Sequence, residues 1–167
     1  HPSGLDITLD DIYVPLNLRI IDSESKTDKR TNIEILTSAI EGSGILYNIV
    51  GGESSGKTSL CKYIFKRYYN QELYPILING SDINANIRKD NIIRIINEKI
   101  GEQYKQIAKA TTLDKSKNDS FILIIDDFQK SAKGNDKYWK LLVSNLETLF
   151  TNIVIVGDML SPSNELS

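Results

Sequence analysis

Between Gly51 and Thr58 the chain reads Gly51-Gly52-Glu53-Ser54-Ser55-Gly56-Lys57-Thr58, a glycine followed by four residues and then Gly-Lys-Thr. Residues of these types at this spacing suit a phosphate chain. Glycines let the backbone curl so that successive N–H groups point inward, and a helix that starts where the loop ends adds the positive end of its dipole. Lys57 can reach β- and γ-phosphates, and the Thr58 hydroxyl can ligate Mg²⁺. The alternative is a Gly/Ser-rich turn that happens to end in Lys-Thr. Against it, the stretch lies between an apolar strand, Ile45 to Val50, and a helical pattern, Lys57 to Tyr69, which is the setting a phosphate loop requires. Gly51, Gly52, Glu53, Ser54, Ser55, Gly56, Lys57, Thr58 and Ser59 are therefore expected to bind the nucleotide. Lys57 is also expected to act in the chemistry, and Thr58 on the metal.

A second constellation is Phe121-Ile122-Leu123-Ile124-Ile125-Asp126-Asp127, an apolar run that ends in two carboxylates. In parallel α/β sheets ligands bind at the carboxyl edge of the strands. Asp126 is then placed to support Mg²⁺ through water, and Asp127 to orient or deprotonate an attacking water. The plainer reading is a pair of solvated acids, with Asp127 as the N-cap of a short turn. It weighs more for Asp127, because Asp is shorter than the Glu more usual in the water-activating role.

Other residues are weaker candidates. Asp158 closes the last strand, where related ATPases carry a polar sensor of the γ-phosphate. An acid there would repel phosphate, so a surface acid is the favoured reading. Gln129-Lys130-Ser131 follows the acidic pair and could approach substrate, though surface loop is the favoured reading, and Cys61 reads as packing. His1 has no expected role. Lys62, Lys66 and Arg67 read as a solvated helix face, and Tyr138 and Trp139 as core or partner surface.

The elements that must position these groups follow from periodicity. Ile12 to Ile21 roughly alternates and reads as an edge strand that tolerates Pro15. Ser23 to Arg30 reads as a loop and Asn32 to Glu41 as an amphipathic helix. Strands are then expected at Ile45–Val50, Leu73–Ile78, Phe121–Ile125 and Ile153–Val156. Helices are expected at Lys57–Tyr69, Ile87–Ile100, Gly101–Ala110 and Lys137–Phe150, with Thr111–Ser120 as a polar loop. Alternating strands and helices, with strands apolar throughout, imply a parallel sheet covered on both faces. The expected organisation is a lead-in over 1–30, a core over 31–160 and a polar tail over 161–167.

The 167 residues suit one ordinary domain, with 40% hydrophobic and 25% charged residues. A net charge of −2 gives no sign of a nucleic-acid partner. One cysteine excludes an intrachain disulfide and fits a reducing compartment, so a cytoplasmic location is expected. The apolar runs are too short to span a bilayer, and no signal peptide is visible. The first residue is His1 rather than Met, which points to a piece of a longer chain.

Nothing after Val156 supplies the Asn/Thr-Lys-x-Asp segment that guanine recognition needs, so the expected nucleotide is ATP with Mg²⁺. An extra strand, Leu73–Ile78, lies in sequence between the loop strand and the acidic strand, as in additional-strand ATPases. The fold class expected is α/β: a P-loop NTPase three-layer α/β/α sandwich with a mostly parallel sheet, of additional-strand type, in truncated form.

Taken together, Val50 to Lys62, Tyr74-Pro75-Ile76-Leu77-Ile78-Asn79-Gly80 and Ile124-Ile125-Asp126-Asp127-Phe128 resemble the NTPase core of STAND (NACHT-like) proteins. The closest likeness is to bacterial effector proteins, some of them fused to metallophosphoesterase domains. Asp11-Ile12-Tyr13-Val14-Pro15-Leu16 is similar to the segment before such cores, and the resemblance spans about residues 11–160. It implies an ATP-dependent switch in which nucleotide binding drives self-association and turns on an attached effector, often in antiphage defence. Residue by residue it gives Lys57 and Thr58 the phosphate and Mg²⁺ roles, Asp126 metal support and Asp127 water positioning. Two departures stand out: Gly157-Asp158 replaces the usual Ser, Thr or Arg sensor, and the lid, winged-helix and sensor-repeat regions are absent. Slow hydrolysis is therefore expected. The competing readings are an AAA+-like motor or loader, a nucleotide-binding scaffold without catalysis, and a small-molecule kinase.

Overall fold

Phe121 to Ile125 has no polar face to offer water, so as a strand it must be covered on both sides. The computed structural model, which describes residues 17–21, 28–32, 45–71, 73–83, 87–104, 118–134 and 136–158, builds this arrangement. Four parallel strands form its sheet: β3 (Ile45–Gly51), β4 (Tyr74–Asn79), β5 (Asn118–Asp126) and β6 (Phe150–Asp158), in the order β3-β6-β5-β4. Among the described residues three helices accompany them: α1 (Lys57–Tyr69), α2 (Lys89–Gln103) and α3 (Asp136–Glu147). Two 3-10 turns follow β4 and β5, at Gly80–Asp82 and Phe128–Gly134.

The two faces of the sheet bury different helices. Phe121, Leu123 and Ile125 of β5 and Ile153 and Ile155 of β6 join Ile92, Ile96 and Ile100 of α2 and Leu142, Val143 and Leu146 of α3 in one core cluster. Ile122, Ile124, Val154 and Val156 point the other way and are equally buried. On that face lies α1, with Leu60, Cys61, Ile64 and Tyr68 buried. The result is the helix–sheet–helix sandwich of a P-loop NTPase α/β fold. Gln103 at the end of α2 seals the outer edge of β4: its amide accepts from the Leu77 N–H at 3.2 Å and donates to the Leu77 carbonyl at 2.6 Å, as a neighbouring strand would.

By contact the chain divides into two compact units, His1–Gly42 and Ser43–Ser167. In the first, β1 (Asn17–Ile21) pairs antiparallel with β2 (Asp28–Asn32) as a two-stranded sheet. The structure departs here from the expected loop at Asp28–Arg30 and from the expected helix at its first residue, Asn32, which are strand. A polar strand such as Asp-Lys-Arg-Thr-Asn carries little apolar periodicity, and its pairing with Asn17–Ile21 supplies the backbone hydrogen bonds that its side chains do not advertise. The expected segments 5–16 and 33–41 lie outside the described residues, as do 105–110 and the tail.

Other differences are at element ends. β5 begins at Asn118, inside the expected polar loop, because backbone pairing with β6 continues past the apolar run and its register shifts between Asn118 and Ile122. α3 stops at Glu147, and Phe150 opens β6 instead of closing the helix. Gly101–Gln103 belong to α2, which ends at Gln103 with Tyr104 as its C-cap. The strand that separates the loop strand β3 from the acidic strand β5 in space is β6; the Leu73–Ile78 segment becomes the edge strand β4 on the far side of β5.

Candidate nucleotide-binding site

The parallel register brings four strand ends to one edge. Gly51 lies beside Asp158, and Asn79 beside Asp126. Immediately after β3 the chain turns through two left-handed residues, Ser54 (φ 57°) and Gly56 (φ 82°). Gly56 is the N-cap of α1, a backbone state in which only glycine escapes strain. No side chain caps this helix and its first turn holds no acid, so its first N–H groups, which have no intrahelical partner, face the loop. Lys66 and Arg67 in the last turn complement the other end of the dipole.

Lys57 curls back over this loop. Its Nζ donates to the carbonyls of Gly51 (3.2 Å) and Gly52 and lies 3.4 Å from Ser55 Oγ. It also pairs with Asp158, Nζ to Oδ1 at 3.0 Å. Asp158 is thus no detached surface acid, the reading its charge favoured. Gln129 fixes it from the other side: Gln129 Nε2 donates to Asp158 Oδ2 at 2.9 Å, and its Oε1 accepts from the Asp158 N–H at 3.2 Å. The expected surface loop at Gln129–Ser131 is part of a 3-10 turn that carries two residues of the site.

Asp126 is buried, and its carboxylate accepts from the Asp127 N–H at 3.0 Å. Beside it is Cys61, whose thiol is pushed well above its ordinary range by burial and then by that carboxylate. Asp127 adopts φ 53° and turns its side chain into a ring of donors: Lys130 Nζ at 2.8 Å, Asn79 Nδ2 at 3.3 Å and Gln129 Nε2 at 3.3 Å. The Lys130 hydrogen bond, more than any other contact, holds the Asp127 carboxyl below the usual carboxylate range. Asn79 is fixed in turn, because its Oδ1 accepts from the Ser81 N–H and hydroxyl while its N–H donates to Asp82.

Between the loop Glu53–Ser59 on one side and Asp127, Gln129, Lys130 and Asp158 on the other lies an open cavity of about 510 Å³. The structure therefore brings Glu53 to Ser59 and Asp127 to one space. Gly51 and Gly52 do not line the cavity but offer their carbonyls to Lys57, and Asp126, buried, does not line it either. Gln129, Lys130 and Asp158 also line it, although the sequence favours a surface reading for each, and Asn79 reaches the site through Asp127. The signals available were the strand ends for Asp158 and Asn79 and, for Gln129 and Lys130, their place directly after the acidic pair.

The donor set fits a polyphosphate: helix N–H groups, an ammonium, and serine and threonine hydroxyls around one cavity. For Mg²⁺ the oxygens at hand are the Thr58 hydroxyl and the carboxylates of the strand ends. Among the described residues no group of three or more His, Cys, Asp or Glu could cage a metal, and Mg²⁺ is typically held by one or two protein oxygens together with phosphates and water. No described helix is long and apolar enough to cross a membrane.

Comparison with known proteins agrees with this geometry. No curated protein matches the chain. The model of the family described as "ATPase family associated with various cellular activities (AAA)" matches residues 47–157, from within β3 to the end of β6. That stretch holds the loop, the acidic pair and the parallel sheet, and the chain belongs to the AAA family.

Proposed function

We propose that this domain binds Mg²⁺-ATP through Gly51–Ser59 and hydrolyses it slowly, as a regulatory switch within a longer protein. The observation that carries the reading is the convergence of Lys57, the uncapped start of α1 and Asp127 on one cavity. In this reading Lys57 and the loop N–H groups hold the phosphates. Thr58 ligates Mg²⁺, and Asp126 supports the hydrated ion. Bound Mg²⁺ would neutralise charge on the transferred phosphoryl group.

Asp127 is the group that would orient the attacking water and take its proton. Three donors now occupy it and hold its carboxyl below the usual range, which keeps it ionised but makes it a weaker base. Release from these donors would have to precede that role, which would make turnover slow. The likeness to STAND cores supports a switch that self-associates and controls an attached effector, in antiphage defence among other settings. The AAA match favours a second reading, a motor or loader that acts on a macromolecule.

Phosphate release from ATP separates them. A switch domain turns over slowly by itself, and Asp127→Asn lowers release by about a hundredfold or more while ATP still binds. Rapid turnover by the wild-type domain would favour the motor, and unchanged release in the variant would remove Asp127 from the chemistry.

A further inference from the structure

In this site the cation that should meet phosphate is already matched with an anion. Lys57 Nζ is 3.0 Å from Asp158 Oδ1, and its remaining donors point to the carbonyls of Gly51 and Gly52. Asp158 does not reach Lys57 by chance. The β3–β6 register sets it beside Gly51, and Gln129 grips both its carboxylate and its backbone N–H. The side chain of Lys57 is only 11% exposed and that of Asp158 49%, so the pair runs from the floor of the cavity to its rim.

We infer that Asp158 is an internal anion that competes with the terminal phosphate for Lys57, which makes it the residue that sets the preference of the site between nucleoside tri- and diphosphates. The inference rests on the nucleotide reading above. The motif lysine serves the β- and γ-phosphates. A triphosphate brings its terminal group, with its full negative charge, up to the Asp158 carboxylate; a diphosphate lacks that group and leaves the Lys57–Asp158 pair standing. Like charges brought together in a partly desolvated cleft repel, so the penalty falls on ATP and spares ADP. The resting site thus favours the diphosphate, and Gln129, which touches Asp158 but not Lys57, is its positioning residue.

Calorimetric affinities for ATP and ADP, each with Mg²⁺, test this in wild type, Asp158→Asn and Gln129→Ala. Asp158→Asn keeps the shape and removes the charge at a strand end that is half exposed, so the fold is retained. The expected result is an ATP-to-ADP affinity ratio raised about tenfold or more in Asp158→Asn, with ADP affinity nearly unchanged, and a smaller shift of the same sign in Gln129→Ala. An unchanged ratio, or equal gains for both nucleotides, would overturn the inference and leave the nucleotide site intact. Weaker ATP binding in Asp158→Asn would overturn it too, because Asp158 would then assist the triphosphate. No binding of either nucleotide by any of the three proteins would instead overturn the reading of the site, and the inference with it.

Discussion

Lys130 carries the most informative charge near the acidic pair, because it is the first cause of the low pKa of Asp127. The sign of its effect on stability is fixed. A carboxyl with a lowered folded pKa stabilises the native state above its ordinary value of 3.8, and that contribution is lost as the pH falls through the folded value. Lys130→Ala should therefore lower stability at neutral pH, with the difference from wild type vanishing in strong acid. In the same variant the Asp127 carboxyl, followed by NMR titration, should rise toward 3.8; a titration that does not move would show that Asn79 and Gln129 suffice. The sequence exposes Lys57, Thr58 and Asp126 because each belongs to a contiguous motif. It conceals the partners of Asn79 and Asp158 for a physical reason. Asn79 meets Asp127 across 48 residues and Gln129 meets Asp158 across 29, so those pairings exist only once the strand register is set.

At the level of elements, the turn after β4 and the turn after β5 touch at Gly80. A Cβ there would collide with the Asp127 carbonyl oxygen and press on Phe128 Cα, both of them backbone or backbone-bound atoms that cannot swing aside. Gly80→Ala should cost about 1–3 kcal/mol, as overpacking does, and should also displace Asp127. Urea unfolding measures the first effect and phosphate release the second, and a fully stable, fully active variant would show that the turns yield freely. Leu142, completely buried on α3, offers a control remote from the cavity: Leu142→Ala should destabilise by about 2–5 kcal/mol while the ratio of ATP to ADP affinity stays as in wild type. Helix α1 and the apolar cores of β3 to β6 were readable because 3.6-residue and uninterrupted apolar patterns are strong signals. The polar strand β2 and the first residues of β5 were not, because backbone pairing with a neighbour determines them while their side chains resemble those of a loop.

For the molecule as a whole, topology decides what chemistry is possible. Parallel strands in the order β3-β6-β5-β4 send every carboxyl end to the same edge, and β6 inserted between the loop strand and the acidic strand delivers Asp158 between them. The sheet class was legible from alternation of strands and helices; the spatial position of β6 was not, since sequence order does not fix neighbour order. A ligand that binds only the folded state must stabilise it, so Mg²⁺-ATP at a hundred times its Kd should add about 2.7 kcal/mol and raise the melting temperature accordingly. The central claim, that Gly51–Ser59 with Lys57 holds the phosphates of ATP, is tested most directly by calorimetry with Mg²⁺-ATP on wild type and Lys57→Ala. Magnesium-dependent binding that weakens by about a hundredfold or more in Lys57→Ala is the predicted result. Equal binding by the two proteins, or no binding by wild type, would contradict it.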